Sequence, residues 1–143
     1  MNTPVNIEKY ILQRCDLMTA MKLQKLAYYS QAWSLVWDEE SLFEEDIEAW
    51  ANGLVCPNLY RHHSGKFKLS EDDFEADISS LTKSEKETID SVIEFYGDKS
   101  GQYLSDLTHA EPPWRDAREG LDDGERGNEV ISKAVMAEYY GSL

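Results

Sequence analysis

Cysteine is scarce in this chain of 143 residues: Cys15 and Cys56 stand alone, far apart, and neither belongs to a Cys-x-x-Cys pair. Such scarcity excludes a disulfide framework, and in a reducing compartment it predicts two small buried thiols. Histidine is limited to His62, His63 and His109, with no pair at the i, i+4 spacing of a helical zinc site. Long apolar runs are missing as well. No stretch approaches the roughly 18 residues of a membrane span, and Met1 to Glu8 lack the basic start and apolar stretch of a secretory signal, so a cytosolic protein is expected. Basic residues are outnumbered, 14 against 28 acids, for a formal charge of −14. A surplus of this size repels phosphate backbones and anionic lipid, so no direct nucleic-acid or membrane contact is expected and a basic protein partner is favoured.

Core-forming residues, by contrast, are plentiful. Hydrophobic residues make up 41%, with four Trp, eight Tyr and four Phe, enough for one core and a single domain spanning 1–143. The acid is unevenly placed: residues 38–60 carry a net −7 and residues 70–98 a net −8, whereas 61–69 carry +3. Acidic faces of this kind keep a small protein soluble and also steer it toward basic surfaces.

Helix signals dominate. Thr3 and Pro4 are an N-cap and N1 pair for a first helix to about Arg14, with Ile7, Tyr10 and Ile11 on one side. Thr19 caps a longer, central helix whose inward stripe is Leu23, Leu26, Ala27, Ser30, Trp33 and Trp37. On that pattern Tyr28, Tyr29, Trp33 and Trp37 read mostly as core rather than as an aromatic binding box, while Lys22, Gln24 and Lys25 fall off the stripe, free for a surface or a capping network. Pro57 opens a brief helix carrying Leu59 and Tyr60 that ends near Ser64-Gly65, and residues 70–81 read as a connector. Thr82 and Glu85 form a capping box for a helix bearing Ile89, Val92, Ile93 and Tyr96, with Gly97 in the position of a left-handed C′ residue. A helix with Tyr103, Leu104 and Leu107 must stop before Pro112-Pro113, residues 119–128 read as a surface loop, and Ser132 caps a last helix with Val135, Met136 and Tyr139 inward and Gly141 after it. The expected fold is mainly α, one compact helical domain with a short β-hairpin near residues 41–56.

Chemical constellations are weak. His109-Ala110-Glu111 followed by Pro112 has the look of half a zinc deaminase, but the Pro-Cys-x-x-Cys that would complete the metal shell is missing, since no cysteine follows Cys56. No Gly-x-Ser-x-Gly elbow, phosphate loop or dinucleotide turn occurs. Carboxylate pairs such as Glu39-Glu40 and Asp72-Asp73 sit in polar segments where nothing would raise a pKa. The tract from Arg61 to Lys68 is a local basic patch suited to steering an acidic partner. No catalytic residue, metal or cofactor is expected, and the chain reads as a binding protein rather than an enzyme.

Three stretches carry a family pattern. The first is Met21-Lys22-Leu23-Gln24-Lys25-Leu26-Ala27-Tyr28-Tyr29-Ser30-Gln31-Ala32-Trp33; the second runs from Leu42-Phe43 through Ile47-Glu48-Ala49-Trp50 to Gly53-Leu54-Val55-Cys56-Pro57-Asn58-Leu59-Tyr60; the third is Leu107-Thr108-His109-Ala110-Glu111-Pro112-Pro113-Trp114-Arg115-Asp116-Ala117-Arg118. Together they resemble the Panacea domain, a family of antitoxin-type proteins carried by bacteria and their phages, with Leu54 standing where the family pattern has proline. The resemblance implies a mostly helical fold and neutralisation of a cognate toxin by direct contact. It marks Lys22, Gln24, Lys25, Tyr29, Trp33, Trp50, Gly53, Val55, Pro57, Tyr60, Thr108, His109, Pro113 and Trp114 as positions serving either partner binding or the fold. Three other classes compete: an acidic DNA mimic of the anti-restriction type, which would inhibit many targets, an adaptor delivering its partner to a protease, and an unrecognised hydrolase that would lose its turnover on His109→Ala. Homo-oligomerisation stays open.

Overall fold

Proline at N1 begins the first helix, α1 (Pro4–Cys15), whose Ile7, Tyr10 and Ile11 are buried as their spacing predicts. The structure, a computed structural model, describes residues 2–15, 17–51, 53–63, 66–74, 76–122 and 124–143. Among them are seven α-helices and five short strands, a mainly α fold. After the short strand β1 (Met18–Thr19), Thr19 caps α2 (Ala20–Trp37) by accepting the Lys22 amide at 3.2 Å.

α2 is the axis of the molecule. Residues 23–32 are buried without interruption, because α1 and three later helices, α4 (Lys83–Tyr96), α5 (Gly101–Ala110) and α7 (Lys133–Gly141), pack around it. A single inward stripe therefore understates its burial, and at its far end overstates it: Trp37 is exposed and Trp33 half-buried. The polar residues on α2 are accounted for by hydrogen bonds. Ser30 Oγ donates to Leu26 O at 2.8 Å and Ser34 Oγ to Glu40 O at 2.7 Å. The Gln31 amide accepts from Leu42 N at 2.7 Å and donates to Phe43 O at 2.9 Å, so a side chain supplies what a neighbouring strand would give this irregular backbone.

The hairpin expected within 41–56 forms from β2 (Ile47–Trp50) and β3 (Gly53–Val55), antiparallel with Ala49 opposite Leu54. A third strand, β5 (Glu129–Ile131), covers the other edge of β2 with Ile47 opposite Ile131. Nothing local announces β5; a three-residue strand takes its order from the edge it covers. β1 pairs with β4 (Lys68–Leu69) in a separate two-stranded ribbon. Between β3 and β4 lies α3 (Pro57–His63); the Ser64-Gly65 pair expected to end it lies outside the described residues.

The connector 70–81 holds two 3-10 turns, Glu71–Asp73 and Ile78–Ser80, and contributes Phe74 to the core. Thr82 and Glu85 make both bonds of the capping box that starts α4. Gly97 departs from the expected left-handed cap: its φ is −65°, and glycine is required there because a Cβ would collide with the Ile93 carbonyl. Lys22 Nζ donates to Gly97 O at 2.5 Å, so Lys22 does join a capping network, at the end of α4. The proline pair that stops α5 also starts α6 (Pro112–Ala117), with prolines at N1 and N2. In α7 Met136 and Tyr140 are the buried residues, while Val135 is exposed and Tyr139 half-buried, one position off the expected face; Gly141 is the last helical residue rather than the one beyond. Cys56 is buried and Cys15 only half-buried.

Candidate functional site

A groove of about 960 Å³ opens between the first turns of α2, the hairpin, α3 and the segment around residues 126–128. Its lining includes Gln24, Lys25, Trp50, Val55 and Tyr60, so five of the family-pattern positions, separated in sequence, meet on one concave surface. The others on it are Ala20, Met21, Glu48, Ala51, Lys66, Phe67, Arg126, Gly127 and Asn128. Three apolar residues on this surface stand unusually far into solvent: Met21 is 43% exposed, Tyr60 41% and Phe67 76%. Trp50 and Tyr60 meet edge to face with ring centroids 5.3 Å apart, and the Trp50 indole donates to Glu48 Oε1 at 2.8 Å.

Gln24 and Lys25 form the wall that ties α2 to β3, contrary to their expected free position. Gln24 Oε1 accepts the Cys56 amide at 3.0 Å and its Nε2 reaches Cys56 O at 3.5 Å; Lys25 Nζ donates to Leu54 O at 3.1 Å. Leu54, in the place of the family proline, is buried. Lys25 is 3% exposed, none of the ion pairs among the described residues includes it, and burial pulls its pKa down to about 8. Burial pushes the Cys56 thiol up to about 11, against the pull of the Leu59 and Asn58 backbone, and so favours the protonated form.

Behind the hairpin stands the α5–α6 corner. His109 stacks on Trp114 with centroids 4.1 Å apart, Trp114 Nε1 donates to Trp50 O at 3.1 Å, and Arg118 lies over the Trp114 ring while its Nη1 donates to Ala49 O at 3.1 Å. Arg118 Nη2 also holds the carbonyls of Asp122 and Glu125, fixing the loop that delivers Arg126 to the groove. Thr108 Oγ1 bonds back to Ser105 O at 2.9 Å, and Pro113 is buried in the first turn of α6. This part of the pattern supports the hairpin from behind.

Gly53 joins wall and corner. Its φ of +133° suits glycine, and a Cβ there would lie 3.0 Å from Lys25 Nζ and 3.4 Å from His109 Nε2. Gly53→Ala is expected to lower stability by about 1–3 kcal/mol through backbone strain and this crowding, read by urea unfolding; an unchanged midpoint would show that the turn relaxes freely.

Four positions lie elsewhere. Lys22 is on the Gly97 carbonyl at the end of α4. Pro57 starts α3, Tyr29 is in the core, and Trp33 donates from its indole to Tyr96 OH at 3.1 Å on the far side of α2. Motif reading misses Met21 as a site residue, Phe67 and Arg126; the one signal for Phe67 was an aromatic ring between two lysines in the basic tract, which also supplies Lys66. Among the described residues no group of three His, Cys, Asp or Glu side chains could hold a metal ion, and no helix is long and apolar enough to cross a membrane.

No curated protein and no solved structure matches this chain. The model of the antitoxin SocA-like, Panacea domain family does match, over residues 23–115, a stretch that holds α2 from Leu23 onward, the hairpin, α3 and the α5–α6 corner up to Arg115, and the chain belongs to that family.

Proposed function

We propose that this protein neutralises a toxin by direct protein–protein contact, with the groove between α2, the hairpin and α3 as its docking surface. Membership of an antitoxin-like family supports an antitoxin-type role. The observation that carries the docking reading is the rim of Met21, Tyr60 and Phe67, apolar and exposed around a concave floor. Exposed apolar residues gathered in this way favour a protein surface, and aromatic residues dominate the binding energy of such contacts. Trp37 and Phe95 are also exposed, but neither lines this groove. The acidic stretches 38–60 and 70–98 would speed encounter with a basic toxin without adding much to final affinity.

The test is co-expression. The adjacent gene, toxic when expressed alone, is expected to become harmless beside this one, and the two proteins to copurify. Phe67→Ser and Tyr60→Ser should each weaken the complex about 30-fold, the effect of losing a strong contact residue, with the unfolding midpoint little changed. The association rate should fall as salt is raised. Rescue without a complex, or a complex indifferent to both substitutions, would overturn the docking surface; inhibition of several unrelated DNA-binding proteins would favour mimicry instead.

A further inference from the structure

We infer that the groove receives a carboxylate carried on an apolar segment of the protein partner, with the Lys25 ammonium as its buried counter-ion. This rests on the neutralisation reading and names the chemistry that the groove selects. Lys25 is withdrawn from water, yet among the described residues its ammonium has one hydrogen bond, to the Leu54 carbonyl, and no ion pair. A buried charge is costly unless it is paired, and the open side of this site is the groove. The charges on the groove also run against the whole chain. Lys25, Lys66 and Arg126 face a single carboxylate, Glu48, in a protein of net charge −14. Glu48 is already engaged by the Trp50 indole, and Lys66 is drawn aside by Asp73 at 2.7 Å, which leaves Lys25 and Arg126 as the cations facing an incoming group.

Size and polarity specify the rest. A space of about 960 Å³ is far larger than a small anion needs, and Met21, Val55, Trp50, Tyr60 and Phe67 would cover apolar side chains on either side of the carboxylate. A partner can be basic overall, matching the acidic faces at long range, and still present one acidic residue to Lys25 at contact.

The purified full chain is used to select from a displayed library of random dodecapeptides. Recovered peptides are expected to carry Asp or Glu flanked by aromatic or aliphatic residues. Synthesised with amidated C-termini, they should bind at least tenfold more weakly after Asp→Asn or Glu→Gln in the peptide, and likewise after Lys25→Met in the protein. Combined, the two changes should cost little more than either alone, since they remove one shared interaction. Arg126→Gln, on an exposed loop, should weaken binding severalfold and keeps the test open if Lys25→Met does not fold. Recovery of neutral or basic peptides, no recovery, or losses that multiply in the double variant would overturn the inference. Toxin rescue that survives Lys25→Met would overturn it while leaving neutralisation standing, and acidic selection without rescue would overturn neutralisation alone.

Discussion

Truncating Glu111 to alanine is expected to destabilise the protein by about 2–5 kcal/mol, because it strips the acceptor from two buried phenols at once. Tyr29 OH donates to Glu111 Oε1 at 2.7 Å and Tyr140 OH to the same oxygen at 2.8 Å, while Tyr28 OH lies 3.0 Å from Tyr140 OH. All three rings are at most 1% exposed, so water cannot replace the lost partner. The carboxylate itself is held above its usual pKa by burial, and its removal returns part of that cost, which keeps the expected loss below the sum for two orphaned hydroxyls. Glu111→Gln keeps an acceptor in place and should lose less than half as much. Urea unfolding of the two variants decides it; an alanine variant as stable as the parent would mean the phenols find other partners.

Glu8 carries the opposite sign. It is fully buried on α1, neither carboxylate oxygen has a hydrogen-bond partner among the described residues, and burial drives its pKa well above the carboxylate range. The folded chain therefore holds a proton that the unfolded chain has released by about pH 5. The unfolded state binds fewer protons, so the stability that the protonated group contributes is complete below the unfolded pKa and is lost as pH rises toward the folded one. Glu8→Gln has no proton to lose. It should be more stable than the parent by about 1–3 kcal/mol at pH 8, with the gap closing near pH 4. Unfolding curves across that range check it, and parallel pH profiles for the two proteins would contradict a buried carboxyl.

Chain punctuation was legible in the sequence because caps and prolines act through neighbours a few residues away. Thr19, the Thr82–Glu85 box, Ser132 and Pro112-Pro113 all act where local chemistry puts them. Gln24, Lys25 and Gln31 were not legible in that way. Their polarity places them at the surface of a helix, but each satisfies backbone of a segment 11 to 32 residues onward, which periodicity within α2 cannot register. Gly97 shows the same limit, since its position was readable and its conformation was set by the Ile93 carbonyl. The groove was half visible. Trp50, Val55 and Tyr60 came with the family pattern, whereas Met21 and Phe67 owe their place to the β1–β4 ribbon and Arg126 to the loop held by Arg118.

The wrapping of α2 also orders events on the ribosome. The Tyr28 and Tyr140 hydroxyls meet across 112 residues of chain, and β5 reaches β2 only when residues 129–131 are available. During synthesis, the most apolar helix emerges early and waits, with an uncovered hairpin edge beside it, for nearly the whole of the remaining chain. Long-range closure of this kind is slow relative to local helix formation. The nascent chain therefore leaves that face of α2 and the open edge of β2 exposed to water until residues 129–141 have been made.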